Sequence, residues 1–434
     1  MTGPVLDLVS RRADRADAVS KVDDTLTLAI APEGDTRVAA SRTRMTHLRV
    51  EHAGRIGYAS RLDGGSDELA DAALVAAGGG PALHLFLPMP APIPELAIRS
   101  PQATAAHVPE LEGLARALLE RLRRGDRRVE VWSERSIGSV QVGNTRGVLT
   151  GYECTMAGAG AVVESIGAGY APPCRVHTCG TSLPGLPDLE ALVDEVDHRL
   201  DPPLVRPPRA LPAAMPVCFA PRAVATLLRP LRIALTGHQM LLGDSPLRGR
   251  IGDDVFDAKL SVFDDPLAPA RPGSRPIDDD GVVTRRVPLI ERGRLVGCLV
   301  DLEVGARAGV PSTGHGWRAA GAGSRVGFTN LRVLPGVETR ATLLTMMGRG
   351  LLVLDLDWSS GPNPVRGTLH LRAPWSYLVE SGAVVGRLEG ISLVGNLFDT
   401  LARILAVGGD GSWVGAVCTP SLLFESMTVV TANR

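Results

Sequence analysis

Nine His and six Cys are the side chains in this chain best able to bind a metal or to attack a carbonyl. A zinc site draws two or three such ligands from adjacent helical turns or a short knuckle, because four donors must converge at about 2.0–2.3 Å. None of the nine His is followed by Glu, so the His-Glu-x-x-His pattern is absent. The densest cluster, Cys174-Arg-Val-His177-Thr-Cys179, reads as strand residues. His238, in Leu235-Thr-Gly-His-Gln-Met-Leu-Leu-Gly-Asp, reads as the end of a helix broken at glycine. Cys418, between Trp413 and an apolar strand, reads as a small buried hydrophobe. Asp253-Asp254, Asp264-Asp265 and Asp278-Asp279-Asp280-Gly281 lack the spacing of a calcium loop and read as turn chemistry. No Gly-Lys-Ser/Thr and no Gly-x-Ser-x-Gly is present, and Gly158-Ala-Gly160 and Gly321-Ala-Gly323 lack a third glycine. The residues alone assign no catalytic group and no metal ligand.

The elements that must carry these residues follow from hydrophobic periodicity. Alternation over 24–62 (Leu26, Leu28, Ile30, then Leu48, Val50, Ile56) predicts strands. Ser66 opens a helix that stops at Gly78-Gly79-Gly80, and a Pro-rich linker runs from Pro88 to Pro94. Pro109 near a helix start, with Leu111, Leu114, Leu118, Leu119 and Leu122 on one face, predicts a second helix. Val129, Val131, Val140 and Val142 read as paired strands before a Gly143-Asn144 turn, and 189–200 reads as a helix. Farther on, hairpins are expected at Arg292-Gly293 and Ser381-Gly382, with helices at about 339–350 and 396–406.

The stretch 201–212 carries too many prolines for a helix interior or a central strand, so the main boundary is placed there. The expected domains are 1–205, with a further break near 88–108, and 206–434. The fold class expected is α+β: an N-terminal α/β domain, then a C-terminal domain of antiparallel, hairpin-rich sheet with interspersed helices. A chain of 434 residues, 44% hydrophobic and 21% charged, is globular rather than disordered. Lys+Arg 46 against Asp+Glu 47 gives a net charge of -1, which argues against a nucleic-acid coat or a membrane-surface protein. Only Lys21 and Lys259 are lysines, an imbalance that reflects GC-rich coding rather than chemistry. With no leader pattern and no run of about 18 apolar residues, a cytoplasmic location is expected.

Beyond these residues, the C-terminal half resembles the TldD/PmbA (TldD/TldE) metalloprotease family. The similarity runs in order through Leu235-Thr-Gly-His-Gln to Ile251-Gly-Asp-Asp, Ile277-Asp-Asp-Asp-Gly through Leu295-Val-Gly, and Ala306-Arg-Ala-Gly with Ser312-Thr-Gly-His. It continues through Asn330-Leu, Leu334-Pro-Gly-Val-Glu-Thr, Met347-Gly-Arg-Gly-Leu-Leu-Val, Tyr377-Leu-Val-Glu-Ser-Gly, Ile391-Ser-Leu-Val-Gly-Asn-Leu and Val407-Gly-Gly-Asp. The N-terminal half is similar through Gly54-Arg-Ile-Gly-Tyr-Ala-Ser and Gly143-Asn-Thr-Arg-Gly.

The resemblance implies a division of labour. A TldD-type subunit carries a His-Glu-x-x-x-His helix and a C-terminal Cys that together hold zinc; a TldE/PmbA-type partner lacks the helix motif. Together they enclose a chamber for small or unfolded peptides. Here the ligand helix falls at about 231–243 without a His-Glu pair, while Cys418 matches the family's C-terminal Cys. The resemblance therefore implies a metal-free, TldE-like subunit with no cofactor of its own, zinc in a TldD-like partner, and a peptide substrate. His238, His315, His370 and Cys418 are the chamber-lining candidates. The family's Gly-Asp-Phe-Ser appears as Gly367-Thr-Leu-His370, and that divergence points to a specialised, modified peptide. Two other readings stay open: a peptide-binding module that does not cut, and a homodimer with residual activity through His238, His315 and Cys418.

Overall fold

The structure, a computed structural model, describes residues 2–166, 172–205, 211–319, 323–357 and 365–431. Its first half is a six-stranded antiparallel sheet in the order β3-β2-β1-β4-β5-β6. The strands are β1 (Arg15–Ile30), β2 (Thr36–His52), β3 (Arg55–Leu62), β4 (Arg127–Asn144), β5 (Leu149–Ser165) and β6 (Cys174–Gly180). β4 corrects one expectation. Val129 through Val142 lie on a single 18-residue strand, and the turn at Asn144 leads into β5, where Gly158 and Gly160 had no β-branched neighbours to announce a strand. The glycine there has a packing reason, because a Cβ on Gly160 would meet the Trp132 ring at 2.3 Å.

Helices cover both faces of this sheet. α1 (Thr2–Val9) and α2 (Ser66–Gly79) bury Val5, Val9, Leu69 and Ala73 against Ala16, Leu48 and Val50. α2 lies so close to β3 that a Cβ on Gly57 would come within 2.1 Å of the Ala73 carbonyl oxygen. After a short α3 (Pro101–Ala105), α4 (Val108–Leu122) and α5 (Leu186–Leu200) pack Leu111, Leu118, Leu189 and Val196 onto Leu28, Ile30 and Val131. Leu114 and Leu119 are only partly buried, on the flanks of the apolar stripe.

The strands of the second half all follow residue 213; the Pro-rich boundary stretch falls partly at 206–210, outside the described residues. β7 (Ala214–Phe219), β14 (Gly350–Asp357), β15 (Thr368–Glu380), β16 (Ala383–Leu388), β17 (Ile391–Asn396), β18 (Ile404–Val407) and β21 (Leu422–Thr431) form one sheet. Pairing of β14 with both β7 and β15 closes it on itself. Phe219 and Phe424 meet edge-to-face at 5.7 Å inside that closure, among Leu351, Leu371 and Leu393. Outward-facing Cys218, Leu352, Tyr377 and Leu423 join the core beneath α4 and α5, so the two halves share apolar packing.

A second six-stranded sheet runs β10-β9-β8-β13-β20-β19. Its strands are β8 (Val262–Asp264), β9 (Val287–Glu291), β10 (Arg294–Leu295), β13 (Leu331–Val333), β19 (Ser412–Val414) and β20 (Val417–Thr419); β11 (Gly316–Arg318) pairs with β12 (Ser324–Val326) apart from it. The two expected hairpins are present: Arg292-Gly293 and Ser381-Gly382 have positive φ at both positions, as a tight primed turn requires. Of the helices here, α6 (Pro221–Leu227), α7 (Arg229–Ala234), α8 (Leu302–Ala308) and α9 (Arg340–Met347) are short. α10 (Leu397–Leu401) stops well before 406, since Ile404–Val407 is drawn into β18 beside β21. No helix among the described residues is long and apolar enough to cross a membrane.

Candidate functional site

Strand alternation sorts the second sheet into two faces. Val262, Asp264, Leu331, Val333, Val417 and Thr419 are buried on one. Phe263, Arg332, Cys418 and Trp413 share the other, because Phe263 lies opposite Arg332, Arg332 opposite Cys418, and Cys418 opposite Trp413. This row crosses four strands and is partly open to solvent. Cys418 is thus half-buried rather than the interior hydrophobe expected of it.

Guanidiniums cover the row. Arg332 lies 5.4 Å from the Phe263 ring centroid and 5.8 Å from that of Trp413. Arg286 stacks at 3.5 Å on Phe263, and Arg271, from the loop after β8, at 4.3 Å on Trp413. Burial pushes the Cys418 thiol above its ordinary range, and the nearby Arg332 and Arg271 charges do not bring it back. A thiol raised in this way is a poor nucleophile. Two guanidiniums beside it would also repel a dication. The residues around Cys418 therefore do not fit zinc, and among the described residues no group of three His, Cys, Asp or Glu could hold a metal ion.

The candidate residues do not converge. His315 is completely buried: its Nε2 meets Asp264 Oδ2 at 3.0 Å and its Nδ1 lies 3.0 Å from Thr313 Oγ1. Asp264 also accepts from the Thr329 amide at 3.0 Å. Since Asp264 belongs to the closed face, His315 stands behind the sheet from Cys418, not beside it. His238 is exposed at the start of a π-helical turn, His238–Leu242. The segment 231–243 is not one helix, because the Gly237 amide leaves it to bond Leu299 O at 2.6 Å, and a Cβ on Gly237 would meet that oxygen at 2.8 Å. His370 is exposed on β15, in the closed sheet.

Position relative to the first half comes from a buried ionic junction. Arg49 on β2, fully buried, donates to Asp17 at 2.9 and 2.6 Å, to Glu303 at 3.1 Å, and lies 3.0 Å from Asp280. Arg318 pairs with Asp17 and, at 3.1 Å, with Asp280; Lys21 pairs with Asp279 at 2.5 Å. Asp278 closes its turn as expected, accepting from the Asp280 and Val282 amides, with Gly281 at φ +81°. The turn reading of Asp278–Gly281 was nonetheless incomplete, because these carboxylates are buried and join the two halves. Burial raises Asp280, but Arg49 and Arg318 outweigh it and hold the carboxyl low, while burial and the Asp280 charge push Asp278 up to about 8. A separate cleft of about 510 Å³ lies between Phe86 and Pro88 and the residues of α8 through Ser312.

Arg271, Arg286 and Arg332 were missed from the sequence. They stand among 44 arginines, and only the placement of Arg332 on β13, with the loop between β8 and β9 carrying Arg271 and Arg286 over the same row, makes three of them neighbours. Trp413 close to Cys418 was the one available signal.

Residues 212–431 match a family model described as the PmbA/TldA metallopeptidase C-terminal domain. The metalloprotease PmbA homolog of Haemophilus influenzae is 31% identical over 216 residues, covering 50% of this chain and 46% of that protein. Metalloprotease PmbA of Escherichia coli O157:H7 is 26% identical over 292 residues, 66% of this chain and 61% of the relative. The chain thus spans about half the length of the curated relatives it matches. The crystal structure of TldE from Thermococcus kodakarensis superposes with a TM-score of 0.86 at 20% identity, covering 99% of each chain, and shows the same fold. With half of its length matched by the family model, the chain belongs to the PmbA/TldD metalloprotease family.

Proposed function

We propose that this chain is the metal-free, TldE-like subunit of a heterodimeric zinc metallopeptidase that processes small, unfolded or modified peptides in the cytoplasm. Its partner is a TldD-like chain that holds the zinc and supplies the general base. The observation that carries this reading is the environment of Cys418: arginine and tryptophan surround the one thiol that family resemblance would make a zinc ligand. The nearby imidazole, His315, is committed to Asp264 on the opposite face. That separation speaks against His238, His315 and Cys418 acting together within one copy of the chain.

In this arrangement the chain's own residues bind and orient peptide. β6 and β19 are the last strands of their sheets, and an extended peptide gains affinity by adding to such an edge. Co-expression with a TldD-like partner tests the proposal. The two chains should co-purify and cleave unfolded peptide together, with neither active alone. Full cleavage by this chain alone would refute it.

A further inference from the structure

We propose that Arg271 and Arg332, laid over Trp413, form a clamp for a carboxylate of the bound peptide, an inference that rests on the peptide-chamber reading above. Among the described residues Arg271 has no ion pair and its guanidinium makes no hydrogen bond, although it is partly withdrawn from water against the Trp413 ring. Burial lowers its pKa, a sign that the charge is imperfectly compensated, yet a guanidinium stays protonated at any working pH. Arg332 has one carboxylate contact, Asp265 at 3.4 Å, which leaves most of its donors available. With Arg286 on Phe263, three guanidiniums face one row against that single paired acid. Asp188, the next carboxylate whose field reaches Arg271, accepts from the Gly185 amide at 2.7 Å and makes no ion pair with Arg271 among the described residues.

The chemistry selects the ligand. A planar fork of N–H donors matches the two oxygens of a carboxylate, and a guanidinium already held over an indole ring loses less freedom when it binds one. Trp413 lies on β19, the edge strand, so a peptide extended along that edge would bring a carboxylate to the clamp. That carboxylate is the C-terminal one or an Asp or Glu side chain.

The test uses the full chain and three eight-residue Ala/Ser/Val peptides: a free acid, its C-terminal amide, and an amide with one internal Glu. Calorimetry should show a carboxylate-bearing peptide, the free acid or the Glu-containing amide, binding about tenfold or more tighter than the plain amide. Arg271→Gln and Arg332→Gln should each collapse that ratio towards one, while Arg271→Lys retains part of it. A variant that had lost its fold would lose binding of all three peptides, the plain amide included, and its circular dichroism spectrum would show it. Tight binding of the Glu-containing amide assigns the side-chain source, and weak binding assigns the C-terminus; either supports the clamp. Equal affinities for all three peptides, no change in the carboxylate preference on Arg271→Gln in a variant that keeps its fold, or no binding of any peptide overturns it. The partner reading fails separately, on metal content and native mass, which do not depend on Arg271.

Discussion

Replacing Arg49 by Met removes one charge from the junction between the halves while keeping most of the side-chain stem. Arg49 is fully buried and contacts Asp17, Asp280 and Glu303. Asp17 and Asp280 keep Arg318, but Glu303 loses its only cation among the described residues. Breaking one side of a buried pair costs about 3–5 kcal/mol, because the remaining charge stays desolvated. The expected loss falls in that range. The double variant Asp17→Asn/Arg49→Met should cost clearly less than the two single changes summed, by about 1–3 kcal/mol. Urea unfolding followed by circular dichroism measures both, the midpoint falling with little change in slope. A loss below about 1 kcal/mol for Arg49→Met, or strict additivity in the double variant, would refute the junction as a structural lock.

The same junction sets a pH dependence. Burial and the Asp280 charge raise Asp278 to about 8 and Asp301 to about 6, so folding takes up protons that the unfolded chain has released. That contribution is full below the unfolded carboxylate value of about 3.9 and fades as pH rises through the folded values. His47, held at about 4 by burial and the Lys21 charge, adds stability that is complete above about 6.5, so it is nearly constant from pH 7 upward. Between pH 7 and 8.5 Asp278 should therefore contribute a fall of about 1 kcal/mol. The thiols of Cys154, Cys174, Cys218 and Cys298, raised by burial, add a further fall. Asp278→Asn should remove the Asp278 share; a midpoint that rises over that window contradicts the assignment. Cys418 should alkylate slowly at pH 7.5, with a rate still climbing above pH 9, as followed by peptide mass mapping; reaction at neutral pH as fast as a free thiol would show that the arginines prevail over burial. Gly57→Ala should destabilise the chain, since the added methyl meets Ala73 and Ala77 backbone at 2.1–2.4 Å that α2 cannot yield; an unchanged thermal midpoint would contradict that packing.

Local signals carried the elements whose residues specify them. Pro109, the leucines of α4, and the Arg292-Gly293 and Ser381-Gly382 turns act within a few residues, and each was legible. β5 was hidden because Gly158 and Gly160 make room for the Thr178 carbonyl and the Trp132 ring rather than serving strand propensity. The end of α10 was hidden because β21, some twenty residues later, claims Ile404–Val407. The arginine row and the ionic junction are long-range juxtapositions. Asp17 and Arg318 stand 301 residues apart, and no spacing rule pairs them. Resemblance identified the family and aligned Cys418 with its relatives' position, but only the strand register shows which groups surround it.

Zinc content against native mass bears most directly on the assignment of this chain as the subunit without metal. The chain should be purified alone and with a TldD-like partner, then weighed intact and analysed for metal. The account expects no stoichiometric zinc on the chain alone and one zinc per one-to-one complex. One tightly held zinc per chain in the partner-free sample, lost on Cys418→Ala, would contradict it.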